Sequence, residues 1–326
     1  QGMVQLEGEK MSKSKGNTVS PQRIVEEYGA DTARLFMMQA AQPERDFDWA
    51  EEGVKSTHRF LARLTDLVEE YAAADAATAP AGADRDTIDD YVADEIDAAV
   101  AIAGDEYDDL TFNVALREAQ DLVGTLRSYR GHAEPYPETY ERGLDVAVRL
   151  LAPVVPHLAE ELWDTLSRDG FVVEADWPTA TVDRETVEKR RRLVANTRED
   201  VRDIVEVAGI EDPERIDVVV APDWKYDALE IAIDSDADNL ISELMAESHI
   251  REQGDDAASY GQDLQANREA LQETLSGDEE YDALRAASWL IEREFDAPVR
   301  VERAADADDA VVQKAEPGRP AIDIVE

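Results

Sequence analysis

Cysteine is missing from the 326 residues, histidine occurs four times, and lysine seven times against 76 acidic residues. Without cysteine there are no disulfides and no thiolate metal sites, and four scattered histidines do not compose a zinc site. No run of about 18 apolar residues occurs, so no membrane-spanning helix is expected. No leader pattern opens the chain, and the expectation is a cytoplasmic protein. Cations are scarce overall: 33 Lys and Arg leave a formal net charge of −43 and a pI near 4.2. A hydrophobic fraction of 43% excludes a disordered acidic tail, because the apolar residues recur at helical spacing. The carboxylates are instead expected on solvent faces. With arginine far outnumbering lysine, this reads as a halophile's surface. In salt near 1 M the Debye length is about 3 Å, and repulsion among carboxylates is screened. An acidic protein of an ordinary cytoplasm is the plainer alternative. The length allows two or three domains.

Against that scarcity, three of the seven lysines fall together in Lys10-Met11-Ser12-Lys13-Ser14-Lys15-Gly16-Asn17. Ser, Gly and Asn favour a turn, and compact ammonium groups suit contact with a polyphosphate. A basic surface loop without a role is the bland reading. Residues 1–9 alternate like a strand or hairpin arm that delivers this loop. Because the chain starts in the middle of that approach, it is expected to be the C-terminal part of something longer. Ser20 and Pro21 mark a helix start and Gly29 its end. Asp31 is placed to cap a second helix, 32–41, which Pro43 stops. A stripe of Val54, His58, Leu61, Leu64, Val68 and Tyr71 predicts an amphipathic helix over 50–74, with His58 packed in the core. Residues 75–87 read as a linker, and helices are expected at about 88–103, 111–130, 138–151 and 154–168. His157 with Glu160 and Glu161 hints at a metal site, but the second histidine is absent, so His157 is read as structural. A long helix over 183–208 carries Val187, Val194, Val201 and Ile204 on one face. It also carries the run Lys189, Arg190, Arg191 and Arg192, which suits either a phosphate contact or pairing with Glu185 and Glu188. Beyond Pro213, strands at 216–221, 299–301 and 322–325 enclose helices and predict a small α+β domain. Asp234, Asp236 and Asp238 imitate the start of an EF-hand, but Asn239 and Met245 stand where glycine and glutamate are needed, which excludes calcium there.

The KMSKS stretch followed by Lys15-Gly16-Asn17 resembles the second catalytic motif of class I aminoacyl-tRNA synthetases. Residues 29–38 (GADTARLFMM), 42–49 (QPERDFDW), Gly53-Val54 and Arg59-Phe60-Leu61 narrow the resemblance to leucyl-tRNA synthetases. Lys15 agrees, since isoleucyl and valyl enzymes usually carry leucine there. Residues 151–163 resemble the helix closing the anticodon-binding bundle of the class, and 221–225 with 314–322 resemble the C-terminal domain of archaeal-type leucyl enzymes.

The resemblance implies a mainly α chain in four parts: motif loop and supporting helices (1–52), anticodon-binding-type bundle (53–182), connecting helix (183–212) and α+β tRNA-binding domain (213–326). It implies ATP-dependent activation of leucine to leucyl-adenylate and its transfer to the 3′ end of tRNA-Leu. Lys10 and Lys13 would be the catalytic lysines, with Lys10, Met11, Ser12, Lys13 and Ser14 on ATP, and Lys189 to Arg192 on tRNA. ATP would come with Mg2+, for which no ligand in this chain can be named. Leucine would sit mostly in a catalytic N-terminal half, joined in cis or supplied as a separate subunit. The companion His-Ile-Gly-His motif, the nucleotide-binding sheet and the editing insertion are absent here, so this chain alone is expected to be inactive. A stand-alone tRNA-binding module or one subunit of a split synthetase is the alternative.

Overall fold

The structure is a computed structural model that describes residues 2–6, 8–12, 14–42, 44–75, 85–237 and 239–326. Lys13, Pro43, Asp238 and most of the expected linker lie outside the described residues. The chain is mainly α, with fourteen α-helices and six short strands among the described residues. It divides into two compact units, 1–184 and 185–326.

In the first unit, β1 (Val4–Leu6) pairs antiparallel with β2 (Glu9–Lys10), matching Gln5 with Lys10 and Leu6 with Glu9. Helices α1 (Pro21–Tyr28) and α2 (Ala30–Ala40) follow. They cross over to β3 (Phe47–Asp48), which pairs parallel with β1. The start of α1 is as expected: the Ser20 side chain accepts from Arg23 N and Pro21 opens the helix. The start of α2 is not. Gly29, at φ 87°, precedes it without a side-chain cap, and the Asp31 carboxylate is turned to a partner far along the chain. Ile24, Phe36 and Val54 form the core here, with Val19, Tyr28, Phe47 and Trp49 packed around them. A Cβ on Gly53 would stand 2.7 Å from Phe36 Cε2, so the helix that starts beside it can approach α2 closely because that position is glycine.

That helix is α3 (Glu51–Asp75), the first of a bundle completed by α4 (Thr87–Asp108), α5 (Phe112–His132), α6 (Pro137–Leu151) and α7 (Pro156–Thr165). Leu64, Val68, Ile96, Leu116, Leu126 and Leu144 are buried between these helices. Tyr129 is fully buried, yet its hydroxyl donates to Asp89 and accepts from Tyr136 N at 2.6 Å, so burial leaves no polar group unpaired there. His58 corrects the expected stripe. It is exposed, its ring edge-on to Tyr28 and its Nδ1 3.4 Å from Thr32 Oγ1, while the neighbouring Thr57 is buried.

The second unit begins with most of α8 (Arg184–Ala208), which ends at Gly209 with φ 70°. A three-stranded sheet has β4 (Arg215–Val219) at its centre. Between β4 and the next strand lie α9 (Asp223–Asp234), α10 (Leu240–Leu244), α11 (Ser248–Arg251), α12 (Asp255–Ala266) and α13 (Gly277–Phe295). Then β5 (Val299–Glu302) joins β4 in parallel, α14 (Asp309–Val312) follows, and β6 (Ala321–Val325) joins β4 antiparallel. Leu193, Val201 and Val205 of α8 pack with Ile216, Val218, Leu284 and Ile291. The buried stripe of α8 therefore runs through Val187, Leu193, Thr197 and Val201, and Ile204, expected on it, is 38% exposed.

Candidate functional site

The lysine stretch leaves β2 at Lys10, whose side chain is exposed. The turn that follows is closed by one side chain. Asn17 Oδ1 accepts from Ser12 N (2.8 Å) and Asn17 Nδ2 donates to the Lys10 carbonyl (3.2 Å), so a single amide bridges both sides of Met11. Ser12 and Ser14 share a hydrogen bond of 2.8 Å between their hydroxyls, and Lys15 N donates to Ser12 O at 3.1 Å. Gly16 takes φ 70°, which favours a residue without Cβ. These bonds explain why Ser, Gly and Asn accompany the lysines: each spends its polar group or its backbone freedom on the turn. Lys15 is tied back, its Nζ 3.0 Å from Glu9 Oε2. Both groups are more than half exposed, so the pair is weak and separable. Lys13, the other lysine expected to act, lies outside the described residues.

The hairpin is held from below by β3. Asp46 accepts from Met3 N (2.6 Å) and from Gln5 Nε2 (3.1 Å), and Asp48 Oδ1 accepts from Gly8 N (2.9 Å). The sequence had marked 42–49 through its resemblance alone; the structure shows its two aspartates fastening the hairpin. No three His, Asp or Glu side chains converge on a metal position among the described residues.

The basic run lies in the second unit. Lys189 Nζ is bonded to Glu185 Oε1 (2.8 Å) and to Glu273 Oε2 (2.9 Å), and these carboxylates, Glu185 first, hold its pKa above the ordinary lysine value. Glu185 was the expected partner, whereas Glu273, on the segment before α13, was not visible in local spacing. Arg192 is exposed and donates to Gln272 Oε1 at 2.8 Å. Arg190 and Arg191 are half-buried and also engaged with neighbours. Of the run, Lys189 and Arg192 edge a cavity of about 490 Å³ that also reaches Tyr260, Glu280 and Arg319.

A larger cavity of about 800 Å³ in the same unit is lined by Trp224, Lys225, Tyr260, Arg303 and Glu316 among others. It joins the two stretches, 221–225 and 314–322, that sequence resemblance had singled out. Lys225 is buried, donates to Gln313 O (3.1 Å) and Ala315 O (2.6 Å), and lies over the Trp224 and Tyr260 rings. Burial pushes its pKa down. His157, read as structural, is exposed with Nδ1 2.9 Å from Asp31. No described helix is long and apolar enough to cross a membrane.

Residues 1–50 match the family described as tRNA synthetases class I (I, L, M and V), and 89–220 match the anticodon-binding domain of tRNA ligase. The leucine–tRNA ligase of Halobacterium salinarum is 50% identical over 100% of this chain and 36% of its own length. That of Pyrococcus horikoshii is 31% identical over 98% of this chain and 33% of its own length. The chain thus spans about a third of the length of the curated relatives it matches. Among solved structures, the ternary complex of Agrobacterium radiobacter K84 agnB2 LeuRS-tRNA-LeuAMS superposes with a TM-score of 0.50 at 22% identity, covering 78% of this chain and 30% of that one. At that identity the likeness is one of fold.

Proposed function

Since the chain belongs to the leucine–tRNA ligase family and represents the C-terminal part of a class I synthetase, we propose that it supplies two things to leucine–tRNA ligation. One is the lysine loop that acts in activating leucine; the other is the surface that holds tRNA-Leu. In activation, an oxygen of the leucine carboxylate bonds to the α-phosphorus of ATP while the bond from that phosphorus to the pyrophosphate oxygen breaks. Negative charge grows on the departing phosphates. Lys10 and Lys13 would answer that charge with ammonium groups, Lys13 more closely, and such preorganised donors contribute most where charge develops. Met11, Ser12 and Ser14 would border the nucleotide. Asn17 would keep the turn's shape before ATP arrives, so little reorganisation is left for the reacting complex. Leucine, and the nucleotide's base, would be held mainly by the catalytic half that the relatives contain beyond the third matched here.

A hydroxyl of the 3′-terminal ribose of tRNA-Leu would then bond to the leucyl carbonyl carbon as the bond from that carbon to the phosphate oxygen breaks and AMP leaves. The bundle α3–α7 and the second unit would hold the tRNA body. In the basic run, Lys189 is already neutralised by Glu185 and Glu273, so backbone contact falls chiefly to Arg192, flanked by Arg190 and Arg191. A cytoplasmic setting goes with this work. The observation that carries the proposal is the turn closed by Asn17 on a hairpin pinned by Asp46 and Asp48, within a chain half identical to a leucine–tRNA ligase along its whole length.

The experiment replaces the matching third of the Halobacterium salinarum ligase with this chain and follows adenylate formation and tRNA-Leu binding in concentrated KCl. Lys13→Ala is expected to slow adenylate formation by about 10²–10³-fold, the loss typical of one transition-state donor, with leucine and tRNA affinities nearly unchanged. Lys13→Arg should stay impaired, because a planar guanidinium does not substitute for a compact ammonium. The 326-residue chain by itself should bind tRNA-Leu yet give no leucine-dependent ATP–pyrophosphate exchange. Normal adenylate formation in Lys13→Ala with tRNA binding lost would make the loop an RNA contact instead.

A further inference from the structure

Residues 29–38 and 151–163 lie more than a hundred positions apart, and the first unit brings them into polar contact. On α2, Asp31 and Arg34 are one turn apart and so share a face. They meet the corner between α6, which ends at Leu151, and α7, which starts at Pro156. Such a corner exposes the spare carbonyls of one helix end and the spare N–H groups of the next start. Asp31 is 8% exposed; its Oδ2 accepts from Leu158 N at 2.7 Å and its Oδ1 is 2.9 Å from His157 Nδ1. Arg34 donates from Nε to Val154 O (2.8 Å) and from Nη2 to Pro153 O (3.2 Å). Each sign matches its helix end: a carboxylate at the positive start of α7, a guanidinium at carbonyls just past α6.

The far end of α2 is tied as well. Gln39 Nε2 donates to Thr57 Oγ1 on α3, and Gln39 Oε1 accepts from Gln120 Nε2 on α5, both at 2.7 Å. Between the two ties stands Phe36, its ring edge-on to Trp49 (4.9 Å) and to Phe47 of β3 (6.3 Å). From β3 the connection passes by strand pairing to β1 and the hairpin that ends at Lys10. Asp31 is buried and Arg34 exposed, so these bonds serve more to fix one register of α2 against the corner than to add net stability.

We propose that Asp31 and Arg34 are positioning residues for the lysine loop. They lock α2 to the α6–α7 corner, and α2 through Phe36 and β3 sets where the hairpin stands. The loop's ammonium groups are therefore placed by the helical bundle and not by the hairpin alone. This rests on the loop's proposed part in leucine activation.

Two measurements test it with Asp31→Asn, Arg34→Gln and Arg34→Lys. In the 326-residue chain, amide hydrogen exchange over residues 21–40 and in the hairpin should quicken about tenfold on losing a charged hydrogen bond, with α4–α6 unchanged. Unaltered exchange in 21–40 would sink the link. In the chimeric ligase, kcat for leucine-dependent pyrophosphate exchange should fall about 10–100-fold with KM for leucine and the thermal midpoint nearly constant. Arg34→Lys, which keeps one donor, should fall between. The double variant should be no worse than the poorer single one, because both groups act through one strut. A kcat that stays normal while α2 loosens, or that falls only with the fraction of folded protein, overturns the positioning role. An inactive unsubstituted chimera would instead count against the proposed function, and hydrogen exchange would then decide the link by itself.

Discussion

Glu280 is a carboxylate with 1% of its surface exposed. Tyr226 Oη donates to its Oε2 at 2.7 Å and Gly318 N donates to its Oε1. Burial raises its pKa from the usual 4.5 to about 7, against the pull of those two hydrogen bonds. The folded chain therefore binds more protons than the unfolded chain between those values, and stability falls as pH rises through that window. At about 1.4 kcal/mol per pH unit the loss is about 3 kcal/mol. Glu280→Gln keeps an oxygen acceptor and removes the titration. The stability of the variant relative to the parent should rise by about that amount between pH 4.5 and 7.5, read by denaturant unfolding in concentrated KCl; a flat difference would refute the assignment. None of this was legible in sequence, since Glu280 sits on α13 among other acids and nothing local marks it as buried. The same limit explains Asp31. Its place near a helix start suggested a cap for α2, whereas its carboxylate serves α7, 127 residues away. His58 fell on an apolar stripe and turned out exposed, since Thr57 takes the inward place and is satisfied by Gly53 O and Gln39. Around the lysine loop the residue types were readable, because Ser, Gly and Asn act on neighbours within a few positions.

Helices were the most legible elements, and some of their ends were marked as well. Ser20-Pro21, Gly29 and Gly209 stand at the termini their chemistry predicts, because capping is a local transaction. Faces were less so. For α8 the periodicity suggested Val194 and Ile204, while the partners in β4 and α13 select Leu193 and Thr197, rotating the stripe. One terminus went unread although its pattern was present. Ser276, with Glu279 three positions on, forms a capping box at the start of α13: Ser276 Oγ accepts from Glu279 N, and Ser276 N donates to Glu279 Oε2 at 3.0 Å. Ser276→Ala should lower the unfolding free energy by about 1 kcal/mol with an unchanged dependence on denaturant. A loss several times larger would mean the serine has a second task.

Across the molecule, 76 acids against 33 Lys and Arg leave repulsion that only part of the surface offsets by pairing, as where Arg198 and Arg202 both meet Glu294. Lowering ionic strength lengthens the Debye length from about 3 Å at 1 M to about 10 Å at 0.1 M, so distant carboxylates begin to oppose one another. Circular dichroism in a falling KCl series should show helix content lost in dilute buffer, and full helicity there would refute a salt-adapted surface. Among the described residues, the bonds that shape the lysine loop join positions within the first 49, from the pairing of β1 with β3 to the turn closed by Asn17. The Asp31 contact instead waits for Leu158. During synthesis, which releases N-terminal segments first, the loop can therefore gain its form well before the bundle exists to hold it. Its shape is an early, local event and its address a late one, so a substitution can spoil either without touching the other.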